Sequence, residues 1–78
     1  MAGRSVEPFK EIGRRLAEVR HERGLTQKQL AERLERPPSY VAKLELAERR
    51  LDIIDLAALA VGLDLTPSEL LGRLMPGS

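Results

Sequence analysis

The stretch LTQKQLAERLERPPSYVAKLE, residues 25–45, predicts two short helices that meet at a tight corner. Thr26 is a typical N-cap, and Gln29, three residues later, completes a capping box that begins the first helix. Apolar residues continue at helical spacing until Pro37, because a residue that precedes proline is kept out of helical geometry. The corner is therefore expected at about 35–37.

The second helix opens with Pro38, whose missing amide hydrogen costs nothing in a first turn. On a helical wheel its inner side holds Val41, Leu44 and Glu45. This arrangement predicts a helix-turn-helix whose second helix, 38–46, is free to enter a major groove of DNA. The outward side of that helix is short and mostly polar, and it holds Ser39, Ala42, Lys43 and Leu46.

The composition fits one small domain with a one-sided basic surface. The chain has 78 residues, 42% of them hydrophobic, but only one Phe, one Tyr and no Trp, which predicts a modest aliphatic core. The net charge of +1 is the sum of a basic and an acidic part of the chain. Residues 1–50 hold twelve Lys and Arg and eight Asp and Glu, whereas residues 51–78 hold one Arg and four Asp and Glu. Clustered cations are what phosphate contacts require, and an ordinary solvated surface is the alternative explanation.

Several classes of function are not expected. Without cysteine there are no disulfides or thiolate metal sites, and the single histidine, His21, has no second ligand at a suitable spacing. No catalytic Ser/His/Asp or Cys/His set and no Gly-rich phosphate loop is present, so we expect neither an enzyme nor a bound metal or cofactor. No signal peptide or apolar run of membrane-spanning length occurs. We expect a soluble, cytoplasmic protein without a membrane partner.

Three further helices are predicted from apolar residues at helical spacing, and two of them begin with a capping pair like that of Thr26 and Gln29. They cover about 8–23, 52–62 and 66–74. Short links between five helices predict a compact all-α domain over 8–75. We expect residues 1–7 to form a flexible N-terminal arm and residues 76–78 a flexible tail.

From residue 12 to about 74 the sequence resembles the lambda-repressor-like, Xre-type helix-turn-helix family. The resemblance rests on the joint pattern of GLTQ at 24–27, Leu-Ala at 30–31, Val41 and Leu-Glu at 44–45, followed by a fourth helix. It implies the lambda-repressor-like five-helix fold. It also implies a sequence-specific DNA-binding transcriptional regulator, often a homodimer on a palindromic operator.

Four residues depart from the family pattern. Two of them are Ala47, where a loop glycine is common, and Leu46, which is outward where a polar residue is frequent. Glu35 stands where the family usually has glycine, and a left-handed glutamate costs roughly 1 to 2 kcal/mol, so we expect a turn of different construction. Pro38 replaces a residue that in many relatives carries a base-reading amide. Readout at that base is therefore lost or becomes apolar.

The resemblance and the position of each residue assign roles on DNA. Lys43 offers a donor to guanine, Ala42 a methyl group to thymine, and the Tyr40 hydroxyl suits a phosphate better than a base. The resemblance also pairs Arg20 with Glu45 as a structural ion pair between the first helix and the recognition helix. Base-edge candidates are Ser39, Tyr40, Ala42 and Lys43, and phosphate candidates are Thr26, Gln27, Lys28, Arg49 and Arg50.

The fifth helix has more apolar residues than its own packing needs, namely Leu70, Leu71, Leu74 and Met75. Operator-level affinity usually takes two half-sites about 34 Å apart, so we expect a homodimer through these residues. Alternatively, the leucines close the core of a monomer.

A second class of function also stays open. The chain could be a protein-interaction module, such as an antitoxin or co-regulator, for which a protein is the partner and DNA is secondary.

Overall fold

The computed structural model describes residues 7–75, which form five helices and no strand. The all-α, five-helix fold is therefore confirmed. The arm and the tail expected at 1–7 and 76–78 lie outside the described residues, except that Glu7 already belongs to the first helix. The helices are α1 (Glu7–Glu22), α2 (Gln27–Arg33), α3 (Ser39–Glu45), α4 (Ile53–Gly62) and α5 (Pro67–Leu74).

Helices α2, α4 and α5 begin with the same cap. Thr26, Asp52 and Thr66 each accept the backbone N–H of the residue three positions later, whose side chain accepts the N–H of the cap in return. Each cap contributes about 1 kcal/mol. Such a contribution matters because helices of seven to ten residues are marginal in isolation.

A shared aliphatic core joins the five helices. Helices α1 and α2 both pack against α3, and α5 packs against α1 and α4, so that α3 is held by the domain along one side. Over residues 7–75, none of the helices has the length and apolar character of a membrane span. The most deeply buried hydrophobic residues are Leu16, Val19, Leu30, Ala31, Val41, Leu59, Ala60, Leu63 and Leu70.

A glycine allows α1 to cross the end of α3 at very short range. A Cβ atom at Gly13 would lie 2.3 Å from the carbonyl oxygen of Glu45 and 2.9 Å from that of Leu44. No real side chain tolerates the first of these distances. The backbone of α1 therefore rests directly on the carbonyl end of α3 and fixes its position in the domain.

The corner between α2 and α3 is built on a left-handed glutamate. Glu35 has a φ of 56°, so the expectation of a turn of different construction is wrong. The N–H of Arg36 donates to the carbonyl of Ala31 at 3.0 Å, which satisfies the end of α2 and offsets the backbone strain. Ala47 adopts the same conformation just after α3, with a φ of 60°.

Candidate nucleic-acid interface

The outer face of α3 is open to solvent. Ser39 and Lys43 are exposed and Ala42 is half-buried. On the opposite side Val41 is fully buried and Leu44 is 3% exposed. The helix is thus supported from behind by the core, and it presents one short face to a partner.

A buried ion pair joins α3 to α1. Arg20 Nε lies 2.7 Å from Glu45 Oε2, and Arg20 Nη2 donates to Glu45 Oε1 at 3.1 Å. Less than a tenth of either side chain is exposed. The remaining terminal nitrogen, Nη1, donates to the carbonyl of Leu25 at 2.8 Å. The pair assigned by the family resemblance is therefore present, in the two-point geometry typical of arginine and carboxylate.

Gln27 joins this ion pair. Its Nε2 donates to Glu45 Oε1 at 2.8 Å. An amide nitrogen carries two N–H groups, so one of them is not used by Glu45. Of the other phosphate candidates on this side, Thr26 uses its hydroxyl oxygen to cap α2, and Lys28 is exposed.

Tyr40 differs most from the sequence-based expectation, because it does not lie on the exposed face of α3. Only 8% of it is exposed, and its hydroxyl donates to the carboxylate of Asp55 on α4. Burial and the hydrogen bond to Asp55 raise the pKa of Tyr40 to about 12, so the hydroxyl keeps its proton at neutral pH. The expectation that this hydroxyl reaches a base or a phosphate is corrected, since a buried carboxylate occupies it.

Asp55 is the acceptor that holds this part of the interface together. Besides the Tyr40 hydroxyl, it accepts the backbone N–H of Asp52 at 3.1 Å and Arg49 Nη2 at 3.1 Å. Burial by itself raises the pKa of Asp55, but these hydrogen bonds outweigh burial and leave the pKa below its ordinary value. From the sequence, Asp55 is recognisable only as the partner of Asp52 in the cap of α4, because helical spacing does not show which side chain of α3 faces α4.

Three arginines lie against the two aromatic rings of the chain. The guanidinium carbons of Arg36 and Arg49 are 5.4 and 5.3 Å from the centroid of the Tyr40 ring, and that of Arg50 is 5.3 Å from the centroid of Phe9. These are cation–π distances. Arg49 and Arg50 were phosphate candidates, but Arg36 was missed. Its only sequence signal is its place in the corner, four residues before Tyr40.

An apolar groove of about 300 Å³ lies between the start of α1, the segment that enters α4, and α5. Of the four dimer-interface candidates, Leu71, Leu74 and Met75 line this groove. Leu71 and Met75 are 47% and 43% exposed. Leu74 is 2% exposed and lies at the bottom of the groove, whereas Leu70 is 0% exposed and does not line it, so the expected role of Leu70 at an interface is corrected. These two lie four residues apart on the inward face of α5 and close the core of their own chain.

The fold and the exposed α3 define a helix-turn-helix protein. Residues 11–71 match the family model described as "Helix-turn-helix domain". An XRE-family like protein from Pseudomonas syringae pv. tomato str. DC3000 is 43% identical to this chain, with a TM-score of 0.76 over 87% of this chain and 83% of that one. The restriction-modification controller protein C.AhdI from Aeromonas hydrophila is 35% identical, with a TM-score of 0.74 over 80% and 94% of the two chains.

A third solved structure, the clp gene regulator ClgR from C. glutamicum, has a TM-score of 0.76 over 86% of this chain and 87% of that one. It is 24% identical, so this likeness shows the fold alone. The comparison with curated proteins gives no match. On the family model and the first two structures, the chain belongs to the Xre-type helix-turn-helix family of DNA-binding transcription regulators. Within residues 7–75, no group of three or more His, Cys, Asp or Glu side chains could hold a metal ion.

Proposed function

We propose that the chain is a sequence-specific regulator of transcription that places α3 in the major groove of its operator. The observation that carries this proposal is the outward face of α3, where Ser39 and Lys43 are exposed while Val41 and Leu44 are buried behind them. The Lys43 ammonium is a donor for guanine O6 or N7, the Ser39 hydroxyl suits several bases, and the Ala42 methyl suits thymine. A cytoplasmic location remains part of this proposal.

Phosphate contacts flank that face in the proposed complex. Gln27 contributes its second amide hydrogen, and Lys28 and Arg50 contribute exposed cations. Thr26 remains a candidate through its hydroxyl hydrogen, since only its oxygen is used by the cap of α2. Such contacts supply affinity and register, whereas the side chains of α3 supply specificity.

We further propose that the protein binds a palindromic operator as a homodimer through the apolar groove. Leu71, Met75 and Phe9 line the groove, and Ile53 at its edge is 79% exposed, so that a second copy would bury apolar side chains now in water. A two-fold axis gives the same contacts to both copies and presents two α3 helices to half-sites about 34 Å apart. Sedimentation of Leu71→Gln tests this interface, with Val61→Gln as the control, because Val61 is 77% exposed and does not line the groove.

Selection from a randomised DNA pool tests the function itself. The expected result is an enriched palindrome with half-sites one helical turn apart. Lys43→Ala should weaken binding to the selected site by roughly 1 to 3 kcal/mol and relax the preference at one base pair. Lys10→Ala, which removes an exposed lysine from α1, is the matched control. A pool without any enriched sequence would contradict the proposal.

The second candidate function is a protein-interaction module, such as an antitoxin or co-regulator. The apolar groove favours it, because the same surface that suits a second copy also suits a different protein. The two functions differ in their response to salt. DNA binding must weaken steeply as salt rises, whereas capture of a protein by an apolar groove must not.

A further inference from the structure

The ring of Tyr40 is shared by two guanidinium groups that reach it from different parts of the chain. Arg36 comes from the corner before α3, and Arg49 comes from the segment after α3. Their Cζ atoms lie 5.4 and 5.3 Å from the same ring centroid, so the two groups can be no further apart than the sum of these distances. The ring thereby gathers cations from both ends of the recognition helix.

The two arginines at this ring differ in their acidic partners. Asp55 accepts from Arg49 and from the Tyr40 hydroxyl, and Asp52 also lies close enough to Arg49 to raise its pKa. Among the described side chains, no carboxylate forms an ion pair with Arg36, which is exposed. The positive charge of Arg36 is therefore left for a ligand.

Both guanidinium groups keep donors for such a ligand. Arg49 uses Nη2 on Asp55, and 46% of its side chain is exposed. A guanidinium has five N–H donors, so Arg49 keeps donors beyond those on Nη2, and no carboxylate among the described residues occupies the donors of Arg36. The planar fork of arginine matches the oxygens of a phosphate.

We propose that Tyr40 is a positioning residue that holds Arg36 and Arg49 as a paired site for the phosphate backbone of DNA beside α3. This inference rests on the proposed function. Tyr40 does not touch DNA in this account. Its ring, anchored through its hydroxyl on Asp55, keeps two long side chains near one place before DNA arrives, which reduces the conformational entropy that binding would otherwise remove.

The salt dependence of DNA binding tests whether Arg36 contacts a phosphate. Each phosphate contact contributes about 0.9 to the slope of log K against log salt concentration, which corresponds to roughly fivefold in affinity at 0.15 M salt. Arg36→Gln should make this negative slope less steep by about one and weaken binding by roughly fivefold. Both effects should occur on the selected operator and on unrelated DNA alike. The control is Arg73→Gln, which removes the same charge from α5 and should leave the slope unchanged.

A double-mutant cycle tests whether Tyr40 positions Arg36. Tyr40→Leu removes the ring, and Tyr40→Phe keeps the ring but removes the hydroxyl. In the Tyr40→Leu background, Arg36→Gln should weaken binding by less than about twofold, whereas in the Tyr40→Phe background it should retain its roughly fivefold effect. A residue that only stabilises the fold would not change the effect of Arg36→Gln in this way, provided that each variant is folded at the temperature of the assay.

If Tyr40→Leu does not fold, the wild-type protein supplies a second measurement. The side-chain protons of Arg36 should be shifted upfield in the NMR spectrum by the ring current of Tyr40, and their chemical shifts should change when DNA is added.

Unshifted Arg36 protons, or equal effects of Arg36→Gln in all three backgrounds, would overturn the positioning role. If the wild-type chain binds DNA with a steep salt dependence but Arg36→Gln behaves like Arg73→Gln, the paired site fails and the DNA-binding function stands. If the wild-type chain binds no DNA, the proposed function itself fails.

Discussion

Replacement of Gly13 by alanine is the sharpest test of how α3 is held. The added Cβ would lie 2.3 Å from the carbonyl oxygen of Glu45, and ordinary van der Waals contact begins at 3.4 Å. The obstacle is backbone, which cannot rotate away, so α1 and α3 must separate by about 1 Å. Overpacking of this kind costs about 1 to 3 kcal/mol, and the higher helix propensity of alanine returns at most about 1 kcal/mol.

We therefore expect Gly13→Ala to lower the free energy of unfolding by about 1 to 2 kcal/mol, and the melting temperature by about 4 to 16 °C, since 1 kcal/mol corresponds to about 4 to 8 °C in a domain of this size. Gly72→Ala is the matched control, because nothing lies within 4 Å of a Cβ built at that helical glycine. It should raise the melting temperature by a few degrees. Circular dichroism during thermal and urea unfolding measures both variants. Equal stabilisation by the two substitutions would refute the close approach of α1 to α3.

The remaining predictions concern the charged and polar anchors of α3. Glu45→Ala leaves Arg20 buried without its partner and should cost about 3 to 5 kcal/mol in urea unfolding; an unchanged melt would show that the pair is exposed. Because the folded state lowers the pKa of Asp55, this carboxylate stabilises the protein above pH about 4, and its contribution disappears as the pH falls further. The difference in stability between wild type and Asp55→Asn should therefore shrink in acid, and a constant difference would contradict the assignment. The chain has one tyrosine, Tyr40, and no tryptophan, so its ultraviolet absorbance reports the ionisation of this one phenol. The Tyr40 hydroxyl should titrate near pH 12 in the folded protein and near pH 10 in denaturant. Its raised pKa stabilises the fold below pH about 10, and this stabilisation should be lost as the pH rises toward 12.

The helices and their starts could be predicted because their causes are local. A capping box needs two side chains three residues apart, and Thr26, Asp52 and Thr66 each meet that condition within a single turn. The buried side of α3 follows in the same way from helical periodicity. The expectation that the turn would avoid a left-handed residue at Glu35 was wrong. The spacing of apolar residues does not show the backbone hydrogen bonds that offset this strain, such as the one from Arg36 to Ala31.

The network around Tyr40 could not be predicted, because its cause is tertiary. On a helical wheel Tyr40 lies at the flank of α3, where either burial or exposure is compatible with the spacing. What decides its direction is Asp55, fifteen residues later on another helix, which as a buried carboxylate must find donors. The dimer candidates divide for a similar reason, since only the packing of α5 on α1 and α4 decides that Leu70 is buried and Leu71 is not.

Stability and recognition are separated on the two sides of α3. Three contacts hold the helix from behind, namely the approach of Gly13, the ion pair of Glu45 with Arg20, and the hydrogen bond of Tyr40 to Asp55. None of them involves Ser39 or Lys43, which face solvent. The side chains that we propose to read bases are therefore free to change without loss of the fold, whereas the residues that orient α3 are fixed by buried charge and close packing. A fold built in this way keeps the position of α3 constant while its outward side chains vary.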